Sequence, residues 1–239
     1  MPKKTVAIFG AGPGLGSSLA SRFGLEGYRI ALVARRAGPL EVRVAELARA
    51  GIEAVAFPAD LTHLDEVPAL VRSIEERLGS IDVAVYSPVG HAGFIPAAEL
   101  DASRLQSMAN IFMFAPIEVA HAVLPGMLAR GDGAIVIVGG LTAVVPMPGL
   151  SGVGPLMAAA RNYVFTLNAE AKSRGVYAGT VNIGAVIEHS AGLQAMTHGG
   201  KTLDPGYPLI NPDEIAEELW SLITRRDRVE AILPPLPTA

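Results

Sequence analysis

Seven short runs of Val, Ile and Ala, with few polar residues inside them, punctuate the chain at 5–9, 28–34, 52–57, 82–86, 134–138, 177–183 and 231–233. Strands apolar on both sides need cover on both faces of their sheet. Longer stretches of helical period lie between them, at 15–26, 40–50, 64–78, 98–129, 156–173 and 212–224. Strand and helix in alternation predict βαβ units and a parallel sheet. The expected fold is α/β: one doubly wound Rossmann-type domain over 1–239, with a seven-stranded parallel sheet and helices on both faces.

With 239 residues the chain is long enough for one such core. Its net charge of −4 gives no electrostatic footprint for nucleic acid, and its lack of Cys excludes disulfides, thiol nucleophiles and zinc–thiolate sites. No spacing of His, Asp or Glu predicts a metal site. The start, Met1-Pro2-Lys3-Lys4, runs straight into the first apolar run, which is too short for a signal segment, so a cytoplasmic address is expected. Residues 133–160 carry no charge, a length that would suit a membrane span. Pro146, Pro148 and Pro155 interrupt it, and each removes a backbone donor that lipid would leave unmatched. Buried strand, apolar loop and helix are expected there, and no membrane.

Directly after the first strand stands Gly10-Ala11-Gly12-Pro13-Gly14-Leu15-Gly16, opening a helix. Glycines let a backbone turn tightly and approach a pyrophosphate, which then rests on unpaired N–H groups at the positive helix end. A ribose-binding Asp or Glu is expected about 20 residues further on in an NAD site. Here the second strand ends Ala34-Arg35-Arg36, and two guanidiniums suit a 2′-phosphate, so the expected cofactor is NADP(H).

These motifs resemble the short-chain dehydrogenase/reductase family along essentially the whole chain. Gly10, Gly14 and Gly16 match its TGxxxGxG loop, with Phe9 in place of Thr. Arg35 falls where NADP-preferring members carry a base. Ala59-Asp60-Leu61-Thr62 is similar to the segment that sets Asp60 and Leu61 against adenine. Asn110 matches a helix Asn that organises a proton-relay water. Ser87 and Pro88 stand in the family's Asn-Asn-Ala-Gly segment, and Ile183-Gly184 in its Pro-Gly turn; the resemblance implies that all four line the cofactor. The resemblance places Gly140, Val153 and Met157 at the family's catalytic Ser, Tyr and Lys. Independently of register, no Tyr-x-x-x-Lys occurs in the chain. Such a Tyr gives its proton to a developing alkoxide, with its pKa lowered by the Lys; Val and Met can do neither.

Replacement groups are sought at Thr142 and Tyr86, near strand ends, and at Arg161, one helical turn beyond Met157. His91, His189, His198 and Glu188 lie in segments expected to overhang the cleft; 188–207 reads as a surface loop or a substrate loop. Three functions remain open: an oxidoreductase acting on a small carbonyl or activated alkene, a non-redox cyclase, lyase or isomerase, and a catalytically silent cofactor sensor or partner subunit. Expected partners are a small-molecule substrate and further copies of the chain. The helix at 156–173 is apolar on two sides, as a homodimer or homotetramer interface would be.

Overall fold

The structure is a computed structural model that describes residues 3–89, 94–200, 202–203, 206 and 208–236. Strands β1 (Thr5–Phe9), β2 (Arg29–Ala34), β3 (Ala54–Pro58), β4 (Ile81–Tyr86), β5 (Gly133–Gly140), β6 (Val176–Ile183) and β9 (Glu230–Leu233) form the sheet. Its order is β3-β2-β1-β4-β5-β6-β9, every pair parallel. A two-residue pair, β7 (Val186–Ile187) and β8 (Leu209–Ile210), stands apart. The expected doubly wound sheet is therefore present.

Successive side chains of β1 show why the strands look continuously apolar. Val6 and Ile8 join the core under α1 (Leu15–Leu25), α2 (Ala37–Arg49) and α8 (Pro212–Arg225). Ala7 and Phe9 join the opposite core, under α3 (Val67–Leu78), α5 (Ala115–Arg130) and α6 (Val153–Ala171). Both faces are covered, so both sets of positions are mainly apolar, and a polar residue among them, such as Thr5, needs a buried partner: its hydroxyl donates to the Leu78 carbonyl at 2.8 Å. Chain order runs outward from β1 in one direction and from β4 in the other. Their carboxyl ends consequently part and leave a crevice, the place where such sheets take ligands.

Two expectations need correction. The helix expected at 98–129 is three pieces: α4 (Ala102–Ala109), a π-helical turn over Asn110–Phe114, and α5. Segment 188–207, read as lacking structure, contains α7 (Ala191–Thr197), begun by Ser190, whose hydroxyl accepts from the Leu193 N–H at 3.0 Å. Seven residues give too few turns for a helical period to show. The charge-free run 133–160 is β5, a surface loop and the start of α6, as expected. One helical run, Ala102–Arg130, is apolar and long enough to span a membrane; here it packs on α3, β4 and β5.

Phe23 is fully buried between α1 and α8, edge-on to Tyr28 and to Trp220, both with ring centres at 5.3 Å. Phe23→Ala should cost about 3–5 kcal/mol. Urea unfolding followed through Trp220, the sole tryptophan, measures this directly.

Candidate active site

Gly10 turns the chain off β1 with φ +97°, and the N–H groups of Gly10 and Ala11 both donate to the Val33 carbonyl, at 2.9 and 2.8 Å. A Cβ at Gly10 would stand 2.5 Å from the Pro88 nitrogen, so the loop lies directly on the end of β4. At Gly16 a Cβ would meet the Ala11 backbone at 2.7 Å. At Gly12, by contrast, a Cβ would meet only the Gly10 carbonyl oxygen, at 4.0 Å. The loop is thus closed beneath and open above Gly12, next to the first-turn N–H groups of α1, which no helix can pair internally. That cradle fits a dinucleotide pyrophosphate. The Ser87 hydroxyl, buried and unpartnered beside the loop, is a polar atom such a ligand would satisfy.

Arg35 and Arg36 are exposed at the end of β2 and make no ion pair among the described residues. Arg36 precedes α2, whose first turn carries no acidic residue. The Asp60 carboxyl accepts from the N–H and hydroxyl of Thr62, at 3.0 and 2.8 Å. Those bonds, with Arg35 nearby, hold its pKa below the ordinary range despite partial burial. Leu61 beside it is buried. Asn110 donates to the Thr62 carbonyl at 2.9 Å, which ties the π-helical turn to the Asp60 segment. Its side-chain amide is therefore engaged in the fold rather than facing an open cleft.

Pro13 is exposed at the top of the loop, while Gly14 and Leu15 are buried. Gly14 is overlaid by the Glu188–Ser190 segment: a Cβ there would stand 3.0 Å from the Glu188 carbonyl oxygen. The sequence brings these two stretches together nowhere, because their approach is tertiary. His189 (φ +58°) and His198 are exposed, and His91 lies outside the described residues. Among the described residues no three His, Asp or Glu gather as a metal site.

At the ends of β5 and β6 the expectations divide. Gly140 ends β5, and its N–H donates to the Met157 sulfur at 3.2 Å. Val153 is buried as the first residue of α6, within a separate apolar cluster containing Met108, Phe112 and Leu156. Thr142 is half-buried, its hydroxyl turned towards Gly154. Tyr86 is buried and donates its proton to the Ile111 carbonyl at 2.6 Å. Burial pushes its pKa far up, so Tyr86 serves the core and not, in this geometry, as an acid. The turn expected at Ile183-Gly184 begins one residue late: Ile183 still pairs with Gly140 and Leu233, and the Gly184 N–H donates to the Leu233 carbonyl.

A cavity of about 20 Å³, room for a water molecule, lies behind Met157, between Tyr86, Ile111, Gly139 and Asn182. Asn182 is fully buried and donates to Glu230 at 2.7 Å, while its own Oδ1 has no partner. Arg161 holds the same Glu230 through two bonds, at 2.5 and 2.7 Å. The positive charge sought as a stand-in for Lys is therefore neutralised. The local pattern does not single out Glu230; for Asn182 the signal is a polar residue inside the apolar run Val181-Asn182-Ile183. Arg161→Met should destabilise by about 2–3 kcal/mol, because Glu230 loses its paired cation in a largely buried site. Adding Glu230→Gln should restore most of that loss in a double-mutant denaturation cycle, and strictly additive losses would contradict the coupling.

A profile of the "short chain dehydrogenase" family matches residues 4–193. The chain is 29% identical over 235 residues to 2-(S)-hydroxypropyl-CoM dehydrogenase 3 of Xanthobacter autotrophicus, covering 94% of this chain and 91% of the relative. It is 28% identical over 242 residues to a fatty acyl-CoA reductase of Mycobacterium tuberculosis, covering 99% and 78%. Among solved structures, a metagenomic short-chain oxidoreductase in complex with NADP superposes with a TM-score of 0.81 at 22% identity, covering 99% of both chains. On the family match, which spans most of its length, this chain belongs to the short-chain dehydrogenase/reductase family.

Proposed function

We propose that the chain binds NADP(H) and acts as an oxidoreductase on a small-molecule carbonyl or activated alkene, without the proton donor usual in its family. The observation that carries this reading is the unpaired Arg35–Arg36 doublet at the end of β2, beside the open glycine cradle. The NADP-bound structural neighbour supports it. So does the dehydrogenase and reductase naming of the relatives.

The first-turn N–H groups at Leu15 and Gly16 would hold the pyrophosphate, with Gly12 and Pro13 passing beneath it. Arg35 and Arg36 would take the 2′-phosphate through charge-assisted bonds, and Asp60 and Leu61 would hold the adenine. Ser87, Pro88, Ile183 and Gly184 would line the nicotinamide half. The bound cofactor supplies or accepts the hydride at its nicotinamide ring. What the chain then contributes is orientation: apolar walls at Val153 and Met157 hold the acceptor. Thr142 would have to turn its hydroxyl away from Gly154 to meet a substrate oxygen, and solvent supplies the proton.

One observation favours a second reading, a catalytically silent cofactor sensor or partner subunit. Gly140, Val153 and Met157, read as the family's Ser, Tyr and Lys positions, are closed among themselves by an N–H···S contact and apolar packing. Turnover separates the readings. NADPH consumption with a panel of carbonyls marks the first, and cofactor binding with no turnover marks the second. Product formed at constant cofactor absorbance would instead mark the non-redox enzyme, with Glu188 and His189 as its acid–base groups. A cytoplasmic address completes the reading.

By calorimetry, NADPH should bind more tightly than NADH. Arg35→Ala with Arg36→Ala should weaken NADPH about 10–100-fold while leaving NADH nearly unchanged. Equal affinities in the parent chain would refute the assignment of the 2′-phosphate site. The exposed Phe165 of α6 lies on the helix we assign to a homodimer or homotetramer interface. Light scattering at micromolar concentration should give a multiple of the 24.8 kDa chain mass.

A further inference from the structure

We propose that the substrate carries an aliphatic chain, which lies along an apolar collar built from Val89 and Phe94, on the loop after β4, and 145–148, on the loop after β5. This deepens the proposed function and rests on its placement of the reacting group near Gly140 and Met157.

Four of the ten large hydrophobic side chains exposed among the described residues lie on these two loops: Val89 (69% exposed), Phe94 (62%), Val145 (38%) and Met147 (39%). Pro146 and Pro148, also exposed, complete four successive surface positions without a polar side chain. A loop after a strand is ordinarily polar at its tip. This one is the middle of the charge-free run 133–160, which the core alone does not account for.

The loops are joined. The Ile95 N–H donates to the Gly149 carbonyl at 2.6 Å, and the Ser151 N–H to the Ile95 carbonyl at 3.3 Å, as an isolated parallel bridge between Ile95 and Leu150. Phe94 lies against Gly149, where a Cβ would stand 3.4 Å from its ring. Beneath the bridge, Ile95 and Leu150 pack into the cluster of Met108, Phe112, Val153 and Leu156, which Met157 also joins. Apolar packing therefore runs without a break from Met157, at the Gly140 N–H, to Ile95 and Leu150 directly beneath the exposed rim.

Position identifies the occupant. Both loops leave the carboxyl ends of central strands, so whatever covers the collar has one end at the crevice, as the tail of a substrate does. A bilayer surface would call for basic residues near the apolar patch. Residues 133–160 hold none, and the chain is net negative. Fully covered, each methylene of a tail contributes roughly 0.8 kcal/mol, or about fourfold in affinity; on an open collar about twofold is expected.

The test is calorimetric binding of 2-alkanones from 2-pentanone to 2-undecanone to the full chain, both with and without NADPH. The affinity should rise about twofold per methylene. Phe94→Asp with Met147→Asp should weaken 2-undecanone at least tenfold and leave 2-pentanone and NADPH unaffected. Val42→Asp, at an exposed apolar site on α2, should change nothing. Affinity independent of chain length, or an equal loss in Val42→Asp, would overturn the proposal. So would a fall in molecular mass in the collar variant, which would make the collar a contact between copies. Co-sedimentation with neutral phosphatidylcholine vesicles that the collar variant abolishes, without chain-length dependence, would assign the patch to lipid and likewise overturn it. Failure of NADPH to bind, with the ketone series intact, would count against the cofactor reading alone.

Discussion

The arrangement of the cleft rests on one close approach, that of the Gly10 backbone to Ser87 and Pro88 at the end of β4. A side chain at residue 10 would have to occupy the space of the Pro88 nitrogen. Because it is absent, the loop folds flat over β1 and β2, and the Gly10 and Ala11 N–H groups both donate to the Val33 carbonyl. The helix after it then starts with its N–H groups at the crevice between β1 and β4. Sheet order, loop and helix end thus converge on one point, and the arginine doublet stands at the far end of β2, where a bound dinucleotide would reach.

Around that point the chain separates two kinds of surface. The cofactor side is polar and open: exposed guanidiniums, a carboxylate held ionised by Thr62, and a buried hydroxyl without a partner. The substrate side is apolar, and its ionisable groups are already engaged. Tyr86 is bonded to Ile111, and Arg161 to Glu230. Under the proposed function, such a site would promote hydride movement through orientation more than through a protein proton donor.

Much of this was legible in the sequence for a physical reason. The seven strands could be read because two-sided burial leaves an unbroken apolar run, and the glycine loop because its conformation admits few other residues. The start of α8 was equally plain, with Asn211 capping Asp213 and Pro212 in the first turn. What could not be read depended on contacts distant in sequence. Asn110 bonds a carbonyl 48 residues away, and Arg161 a carboxylate 69 residues away. The π-helical turn is a one-residue change of period over Asn110 and the apolar run 111–114, and it leaves no mark on the pattern.

The contact between the Gly140 amide and the Met157 sulfur also bears on how this site can change by mutation. A side chain added at 140 begins 3.3 Å from that sulfur, tighter than ordinary packing, while shortening residue 157 first would clear the space. The two positions are therefore coupled: a side chain at 140 needs the Met157 sulfur to give by a few tenths of an ångström, which a flexible thioether can do. Residue 157 thus sets how much can be added at the end of β5, and substitutions at the two positions should not be additive.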